Sequence, residues 1–492
     1  MSAFDALRPF LKKERDLMQL ISILNYDIQT ITPKKGIESE SELLSFYASR
    51  VAEIHKDPAF LAALKEAKQD PSLNDRQKEV VRSLSKEAEF MEKVSIEEYS
   101  SWNEALQKSN EVWRIAKENN DYALYLPYWK KAIEASREMV KRRAKDPSAP
   151  LYETCLDLYE EGSSSAAIDA VFNPLKEYLV SRLPEVLARQ ESKPKVKIPF
   201  VHADKQRHFN YDLLALIGFD LEGGSISESM HPFTDFFSEN DSRITTEIDE
   251  NDYRGNLFSV IHEGGHAIEF QNLGRAQHED FSAGLASSAI CETHSRFYEN
   301  ILGRSDAFAY PLQKLCQKHF GSPFYFMKHD QFLASLNEVK PNLIRCDADE
   351  FTYCLHIIIR YEIEKEIMNG TLSAEDAPLL WNKKYKEYLG LDVPSDKMGI
   401  LQDVHWSDGS FGYFPSYALG NLYGAMIYNK MKEELDIDSL LRNGNLLPIR
   451  AWFAENDFPY NYLPAGKWLK KVTGRELDIQ DFIQYLDGKY NQ

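Results

Sequence analysis

Two histidines four residues apart, set in a run of apolar residues, constrain this chain more than any other sequence feature. His262 and His266 belong to the segment GNLFSVIHEGGHAIEFQNLG, where apolar residues recur every three and four positions as in a buried helix. On a helix, side chains four apart project from one face about one turn apart, so both imidazoles can bind the same metal ion. The pattern therefore predicts a buried helix that carries two metal ligands.

The residues between the two histidines bear on both chemistry and packing. Glu263 follows the first histidine, and the HExxH pattern places such a glutamate where it can take a proton from water that the metal activates. Gly264 and Gly265 oppose the helix prediction, because glycine costs about 1 kcal/mol relative to alanine in a helix interior. We interpret the two glycines as positions where a substrate or a neighbouring element packs close to the helix backbone.

A catalytic zinc site needs a third protein ligand and leaves its fourth position for water. Glu292, in SSAICETHSRFYEN, lies far enough after His266 for a loop and the start of a second helix. Spacing alone does not select it, because four other carboxylates in this part of the chain satisfy the same requirement: Glu269, Glu279, Asp280 and Glu299. The histidine pair therefore predicts a metal site whose third ligand the spacing leaves open.

The charge of the chain excludes two classes of partner. Its 492 residues include 58 basic and 77 acidic ones, which gives a net charge of −19 spread along the sequence. Such a charge repels phosphate backbones and anionic membranes, so we expect neither nucleic acid nor a membrane as a partner. The hydrophobic content of 43% is normal for a folded globular protein, and the length allows a sizeable core.

The cysteines and the N-terminus indicate a cytoplasmic protein. The five cysteines are an odd number without CxxC spacing, which argues against a disulfide framework and against a zinc-ribbon site. The first residues, MSAFDALRPFLKKERDLMQL, carry charges where a secretory signal needs an apolar core. No uninterrupted apolar run approaches the length that spans a membrane. We therefore predict a reducing, cytoplasmic location.

Helical periodicity dominates the chain on both sides of one short strand-like region. Before residue 190 it is clear in segments such as DLMQLISILNYDI and SELLSFYASRVAEI. Between about 197 and 250, the segments GGSISES, HPFTDFF and RITTEI predict a small antiparallel sheet. We expect a mainly α-helical fold in a single domain, residues 1–492, with a helical subregion of about 1–190 and a catalytic core of about 197–492.

Several further blocks accompany the HExxH motif in order along the chain. They are Asp241-Ser-Arg243-Ile-Thr245 (D-x-R-x-T), Ile344-Arg345-Cys-Asp-Ala348-Asp349 (I-R-x-x-A-D) and Gly399-Ile-Leu-Gln402-Asp403-Val-His405-Trp406 (G-x-x-Q-D-x-H-W). With Glu292, these blocks resemble the carboxypeptidase Taq family of zinc-dependent carboxypeptidases. GSFGYFPSYALGNLYGA and, near the N-terminus, LNYDIQTITPKKGIESESELLS are similar to the family as well. The resemblance thus covers nearly the whole chain.

The resemblance implies a fold, a reaction and a metal site. It implies a helical metallopeptidase whose small sheet lines a groove near the active site, and which releases single amino acids from the free C-terminus of peptides. The metal ligands it implies are His262, His266 and Glu292, with Glu263 as the general base. Zn²⁺ is the implied metal, although nitrogen and oxygen ligands also accept Co²⁺ or Mn²⁺. A homodimer is implied by the resemblance alone.

Five residues in the matched blocks are candidates for further roles. We assign His405 as the donor that stabilises the oxyanion, with Tyr413 or Tyr417 as its phenolic partner. Arg345 is the first choice for binding the terminal carboxylate, because a planar guanidinium matches two oxygens. Arg243 is the second, since its strand could pair with the substrate backbone at a sheet edge. Packing of an aromatic loop, and ion pairs with acidic neighbours, would explain these residues equally well.

One block departs from the family pattern. Where the family reads His-Glu-Ser-Gln, this chain reads Cys291-Glu292-Thr293-His294, so the candidate ligand is kept and its neighbours change. Such changes bear on metal affinity, because the groups around a ligand orient it. We interpret Cys291 as a small buried residue, since adjacent residues on a helix point in different directions and a thiolate ligand is disfavoured. His294 is either a core histidine or part of the site.

Two other functions use the same sequence features. A metallo-endopeptidase or oligopeptidase would need the same HExxH chemistry and a similar helical architecture. A helical binding protein that has lost efficient catalysis would explain the altered block around Glu292. Residue preference at the cleaved end, peptide length limits and biological substrates are left open by the sequence.

Overall fold

Helices make up most of the structure, in agreement with the apolar periodicity of the sequence. The computed structural model describes residues 2–192 and 195–491. The helices before the sheet are α1 Ala3–Thr30, α2 Ile37–His55, α3 Pro58–Ala67, α4 Asp75–Lys93, α5 Ile96–Asn119, α6 Tyr122–Arg143, α7 Leu151–Tyr159, α8 Ser165–Glu191 and α9 Ala203–Ile217. Three strands follow them: β1 Gly224–Glu228, β2 Thr234–Ser238 and β3 Asp241–Thr246.

The chain is helical again after the sheet. The helices there are α10 Tyr253–Asn272, α11 Arg275–Glu279, α12 Ser288–Arg296, α13 Asp306–Phe320, α14 Ser322–Phe326, α15 His329–Leu336, α16 Glu350–Asn369, α17 Ala377–Leu389, α18 Phe414–Met431, α19 Ile437–Arg442, α20 Leu447–Asn456, α21 Ala465–Thr473 and α22 Gln480–Tyr490. Shorter segments are the π-helical Phe297–Leu302 and the 3₁₀ turns Ser282–Leu285, Arg345–Asp347, Asp396–Met398 and Phe458–Tyr460. The prediction of a mainly α-helical fold is confirmed.

The helices at the N-terminus and those of the rest of the chain are organised around different cores. Helices α1 to α4 enclose a small apolar core that includes Phe4, Phe60 and Val80. A much larger core extends from Trp113 in α5 to Leu486 in α22. Helices α7 to α9 contribute to this larger core, so they pack with the elements that carry the HExxH motif.

The predicted small sheet is present, but it is mixed and not antiparallel throughout. The strand order is β1-β3-β2, with Ile226 of β1 opposite Ile244 of β3 in a parallel pair and Thr234 of β2 opposite the same residue in an antiparallel pair. The segment between β1 and β2 crosses the end of β3, where Ser229 Oγ donates to Thr245 Oγ1 at 2.7 Å. Strand periodicity predicts which residues are extended, but it does not specify which strands become neighbours.

Glycines allow α12 to lie in close contact with helices on two sides. A Cβ atom at Gly265 of α10 would lie 2.9 Å from the Cα atom of Ser295, and one at Gly420 of α18 would lie 2.8 Å from the Cβ atom of Glu292. Gly264 approaches α9 in the same way. The interpretation that a neighbouring element packs against the two glycines of the HExxH motif is therefore confirmed. The cost of glycine in a helix is offset by this close packing.

The covalent state of the chain is simple. All five cysteines are free thiols; Cys155, Cys316 and Cys354 are buried and Cys346 is exposed. Within residues 2–192 and 195–491, no helix has the length and apolar character needed to cross a membrane. The fold of the described chain is therefore held by non-covalent packing.

Candidate active site

The helix α10 presents both histidines of the HExxH motif towards α12. It begins after Asp252, whose carboxylate accepts a hydrogen bond from the backbone N–H of Arg254 and so caps the helix. Most of its other side chains are buried, which explains why the helix forms despite its two glycines. The rings of His262 and His266 lie on one face with centroids 5.1 Å apart, nearly perpendicular to each other. The predicted one-turn spacing of the two imidazoles is therefore present.

The helix α12 supplies the carboxylate that faces them. Its N-terminus is capped by Ser287 Oγ, which accepts from the backbone N–H of Ile290. The buried Glu160, at the end of α7, accepts from the backbone N–H of Ala289 at 2.7 Å. These two contacts satisfy backbone donors that a helix start leaves unpaired. One turn further on, Glu292 is 6% exposed and points at α10.

His262, His266 and Glu292 together form a possible metal site. One ligand atom from each of the three lies within 4.8 Å of the others, and His262 Nε2 is 3.7 Å from Glu292 Oε2. Two imidazole nitrogens and one carboxylate oxygen are a donor set of catalytic zinc sites. Burial lowers the pKa of His266 to about 4, which keeps its ring neutral and able to bind a cation. The residues present therefore fit a divalent metal ion.

A second carboxylate orients the first histidine. His262 Nδ1 donates to Glu299 Oε2 at 2.9 Å, so Nε2 is left facing Glu292. Glu299 also pairs with Arg296 and Arg304. Burial raises the pKa of Glu299, but the charges of Arg296 and His262 outweigh burial and hold the pKa below its usual range. An ionised carboxylate behind a ligating histidine fixes the tautomer and direction of the ring.

The remaining carboxylates that spacing left open as third ligands are paired elsewhere. Glu269 contacts His294, Glu279 contacts Arg275 and Asp280 contacts Arg76. Among the described residues, the cluster of possible metal ligands contains Glu292 and none of these alternatives.

Glu263 lies between the metal-ligand cluster and the sheet. Its side chain is 7% exposed, and its Oε2 atom accepts a hydrogen bond of 2.6 Å from Thr234 Oγ1 of β2. The same hydroxyl also contacts the backbone oxygen of Glu263. Burial raises the pKa of the Glu263 carboxyl above its ordinary value. The edge strand β2 thus lies beside the candidate site, in agreement with the prediction of a sheet near it.

Three aromatic side chains from the C-terminal blocks meet near the metal-ligand cluster. His405 Nε2 is 3.3 Å from Tyr417 Oη, and the ring of Tyr413 lies 5.5 Å from the ring of His405. Burial lowers the pKa of His405 to about 3 and raises the pKa of both tyrosines above its usual range. The charge of Glu292 acts on all three groups: it raises the pKa of both tyrosines and opposes the lowering of the His405 pKa by burial.

Arg345 lies next to this aromatic group. It is buried, its Nε atom donates to Asp403 at 2.9 Å, and its Nη1 atom donates to Tyr353 Oη at 3.1 Å. Its guanidinium lies 5.0 Å from the centre of the Tyr417 ring. Within the described residues, Nη2 makes no hydrogen bond, so this arginine keeps a donor for a ligand. Its acidic partner is Asp403 and not an acid of its own motif.

Arg243 has other partners than Arg345. Its guanidinium forms two hydrogen bonds with Asp241 and packs over the rings of Phe237 and Tyr26. The alternate residues of β3 face the other way, where Thr246 Oγ1 reaches Ser259 of α10. The suggestion that its strand offers an edge for substrate pairing is wrong, because β3 is the central strand and both its edges are paired.

The residues that depart from the family pattern have separate surroundings. Cys291 is partly buried and does not belong to the ligand cluster found among the described residues. His294 is completely buried and contacts two carboxylates, Glu269 and Asp457. Burial lowers the pKa of His294, but the two negative charges outweigh burial and raise the pKa to about 10. His294 is therefore a core histidine with ionic partners, located behind the candidate ligands.

Sequence reasoning missed several residues of the site. Glu299 was considered only as a ligand, although its position seven residues after Glu292 places both on one helical face. Tyr353 and Arg296 stack, with the guanidinium 4.0 Å from the ring centre, between the metal ligands and Arg345. Thr234 has no motif around it, and only the approach of β2 to α10 reveals its contact with Glu263.

Comparison with known proteins identifies the family. The profile of the family described as Carboxypeptidase Taq (M32) metallopeptidase matches residues 6–490. Carboxypeptidase 1 of Bacillus subtilis is 36% identical over 488 residues, 98% of this chain and 96% of that protein. The structure of metallocarboxypeptidase 1 of Trypanosoma cruzi has a TM-score of 0.93 and 31% identity, over 100% of this chain and 99% of that one. A family carboxypeptidase of Deinococcus radiodurans has a TM-score of 0.94 and 26% identity, with 99% of both chains covered. This chain therefore belongs to the carboxypeptidase Taq family of metallopeptidases and is a metallocarboxypeptidase.

Proposed function

We propose that this chain releases single amino acids from the free C-terminus of peptides, with Glu263 as the general base. The observation that carries the proposal is the position of Arg345. This buried arginine has an unpaired Nη2 donor within the described chain and lies beside His405 and Tyr417, whose pKa values respond to the charge of Glu292. A group that binds the terminal carboxylate next to a metal site distinguishes a carboxypeptidase from an endopeptidase.

Zn²⁺ is the metal that we propose for His262, His266 and Glu292. When bound there, such an ion would act as a Lewis acid and make a water molecule acidic near neutral pH. Co²⁺ and Mn²⁺ are also compatible with two imidazoles and a carboxylate. Glu299 supports this assignment, because its hydrogen bond to His262 Nδ1 leaves Nε2 free for a ligand bond.

Glu263 has the position and environment of a general base. It follows the first ligand on α10, and its Oε2 atom is oriented by the Thr234 hydroxyl at 2.6 Å. In the proposed reaction it takes a proton from the attacking water and later transfers that proton to the leaving amine. Burial raises its pKa, so this carboxyl holds a proton more readily than an exposed glutamate and can carry it from the water to the amine.

His405 and its phenolic neighbours are proposed to stabilise the negative charge on the former carbonyl oxygen. The low pKa of His405 keeps its imidazole neutral, so it can donate one N–H hydrogen bond. Tyr417 Oη lies 3.3 Å from His405 Nε2, and Tyr413 packs against both rings. We favour Tyr417 as the phenolic partner because it contacts His405 directly.

Arg345 is proposed to bind the terminal carboxylate of the peptide, with Arg243 as the second candidate. Arg345 is held by Asp403 and Tyr353, which leaves its Nη2 donor for a substrate oxygen. Arg243 is paired with Asp241 through two of its nitrogens, so it has less capacity for a second carboxylate. A homodimer and a cytoplasmic location belong to the proposal as well, supported by the family resemblance and by the unpaired cysteines respectively.

One experiment tests the proposed reaction. The purified protein is incubated with one peptide in two forms, free acid and C-terminal amide, with and without a chelator, and products are followed by mass spectrometry. Successive loss of C-terminal residues from the free acid only, abolished by the chelator and by Glu263→Gln, is the expected result. Internal cleavage of both peptides would instead identify an endopeptidase. Bound metal without any cleavage would identify a binding protein that has lost catalysis.

A further inference from the structure

We propose that His294 is a positioning residue that holds the two metal-carrying helices together from behind the candidate metal site. This inference rests on the proposed metal centre, and it concerns a residue at which this chain departs from its family. His294 contacts none of the candidate ligands through its ring, so any effect on the metal would act through the placement of α10 and α12.

Both nitrogens of the His294 ring are bonded to carboxylates. Nδ1 lies 2.8 Å from Glu269 Oε2 and Nε2 lies 3.2 Å from Asp457 Oδ1, and all three side chains are completely buried. The two ring nitrogens face different carboxylates, so one ring can link both acids at once. One imidazole thereby joins two acidic groups that have no access to solvent.

The link spans the elements that carry the metal ligands. Glu269 lies on α10, less than one turn after His266, and His294 lies on α12, two residues after Glu292. Asp457 lies between α20 and α21, so the same ring also attaches a C-terminal segment. The link from α12 to α10 therefore joins a residue near the candidate ligand Glu292 to a residue near the candidate ligand His266.

The surroundings make the imidazole difficult to replace. The rings of Phe453, Phe458 and Trp468 enclose it, with centroids between 5.1 and 6.3 Å from its own. Asp457 Oδ2 is buried without a partner, so His294 and the Trp468 indole N–H are the side-chain donors to this carboxylate within the described chain. Removal of the imidazole would leave Glu269 with the Asn461 amide and Asp457 with the Trp468 indole as side-chain donors, and the loss of a donor from two fully buried carboxylates is unfavourable.

The close packing of α10 on α12 allows a small displacement to reach the metal ligands. A Cβ atom at Gly265 would lie 2.9 Å from Ser295 Cα, so the two backbones are in contact next to His266 and Glu292. A metal site tolerates changes of only about 0.2 Å in ligand distance. Groups that orient ligands accordingly change metal affinity by about 10–100-fold when they are substituted.

The glutamine that the family has at position 294 suggests a specific test. A glutamine amide has its donors on one nitrogen only, so it can donate to Glu269 but would turn its oxygen towards the second carboxylate, where the imidazole has another ring nitrogen. His294→Gln should therefore disturb the link, whereas His294→Gln combined with Asp457→Asn should restore it. In the double variant one carboxylate remains. His294 Nε2 and Trp468 Nε1 both contact Oδ1 of Asp457, so the new amide must turn about its Cβ–Cγ bond for its nitrogen to face the glutamine oxygen while its oxygen accepts from Trp468.

Co²⁺ binding to the metal-free protein measures the placement of the ligands independently of peptide cleavage. We would determine Co²⁺ affinity and the visible absorption of the bound ion for the wild type, both His294 variants and the control His319→Gln. His319 pairs with Asp212 on a different part of the fold. The expected result is a loss of about 10–100-fold in affinity and an altered spectrum for His294→Gln, recovery in the double variant, and no change in the control.

Other outcomes would overturn the inference. Wild-type affinity and spectrum in His294→Gln would show that the ring does not position the ligands. A lower unfolding temperature with an unchanged Co²⁺ spectrum would show a purely structural role. If His294→Gln does not fold, the double variant decides alone. A double variant that folds but binds Co²⁺ more weakly than the wild type would exclude the proposed link. Absence of Co²⁺ binding by the wild type would overturn the proposed metal centre as well, which separates the two failures.

Discussion

The two halves of the candidate site are built in different ways. The metal half consists of His262, His266 and Glu292 on two adjoining helices, where helical spacing and close backbone contact place the ligands. The half that we propose to contact substrate, called the substrate half, consists of Arg345 and His405 in irregular segments, together with tyrosines at the start of α18. The first half depends on regular geometry, whereas the second depends on side chains that hold irregular backbone in place.

Two buried carboxylates show how the substrate half is held. Asp403 accepts hydrogen bonds from Arg345 and from Arg360 of α16. Glu364, also on α16, accepts from Trp406 Nε1 and from the backbone N–H of Gly412, at the two ends of the segment that joins His405 to Tyr413. Contacts from α16, which is distant in sequence, therefore fix this segment. In the metal half, the helical repeat fixes the ligands. The two halves of the site therefore differ in how far apart in sequence the residues that fix them lie: close together in the metal half, and distant in the substrate half.

Substitution of the proposed base has the largest expected effect. It tests whether catalysis can be lost while the metal ligands stay in place. We expect Glu263→Gln to lower kcat by about 10²–10⁴-fold with unchanged metal content, because general-base catalysis is lost while the three ligands remain. Kinetics on a free-acid peptide and metal analysis of the same sample check this. The matched control is Glu279→Gln, which is exposed on α11. Normal turnover by Glu263→Gln would assign the base elsewhere.

Substitution of the proposed oxyanion donor tests the substrate half. His405→Gln should lower kcat by about 10²–10³-fold, the usual loss on removal of one such donor, and leave metal affinity unchanged. Steady-state kinetics with metal analysis measure both, and His208→Gln, an exposed histidine on α9, is the control. Loss of metal from His405→Gln would break the comparison, because the two halves would then not be independent.

The carboxylate behind the first ligand should matter mainly for metal binding. Glu299→Gln is expected to weaken metal affinity by about 10–100-fold, because the amide holds His262 Nδ1–H less well than an ionised carboxylate. Competition with a chelator of known affinity measures the change, and Glu338→Gln provides an exposed control. Unchanged affinity would mean that helical geometry alone orients the histidine.

Two glycines of α10 provide a matched test of close packing. Gly265→Ala should lower the free energy of unfolding by about 1–3 kcal/mol, the usual cost of overpacking, because its Cβ atom would meet the α12 backbone. Gly255→Ala should instead be neutral or stabilising, since its Cβ atom would have no neighbour within 4 Å. Denaturant unfolding compares the two. Equal stability and activity of Gly265→Ala and wild type would remove the evidence that helical contact places the ligands.

The last expected effect concerns stability and not turnover: it is a pH dependence in the substrate half. Burial raises the pKa of Glu364 from 4.5 to about 8, so the folded chain binds this proton more tightly than the unfolded chain does. The stability that Glu364 contributes should therefore fall as pH rises from about 4.5 through about 8. Glutamine at this position does not titrate. The difference in unfolding temperature, wild type minus Glu364→Gln, should therefore decrease as the pH rises over that range. A constant difference between the wild type and Glu364→Gln over that range would contradict the prediction.

The sequence predicted some parts of the site directly and others only through family resemblance. The histidine pair and Glu263 follow from helical spacing, and the structure has them on one helix as expected. Spacing left Glu292 among five carboxylates, and the matched blocks selected it. Arg345 and His405 were named from the blocks alone, and their roles stay predictions. Thr234 could not be predicted, because its contact with Glu263 depends on how a strand packs against a helix.

By itself, the sequence determined what local repeats encode: the helical class of the fold, the existence of short strands and the one-turn spacing of two metal ligands. A helix places residues four apart on one face wherever it occurs, so these features need no tertiary information. Only the tertiary structure decided the mixed direction of the sheet, the different partners of Arg243 and Arg345, the partner of His262 and the buried link through His294. These depend on which surfaces meet, and contacts between residues distant in the sequence are set by the packing of the whole core.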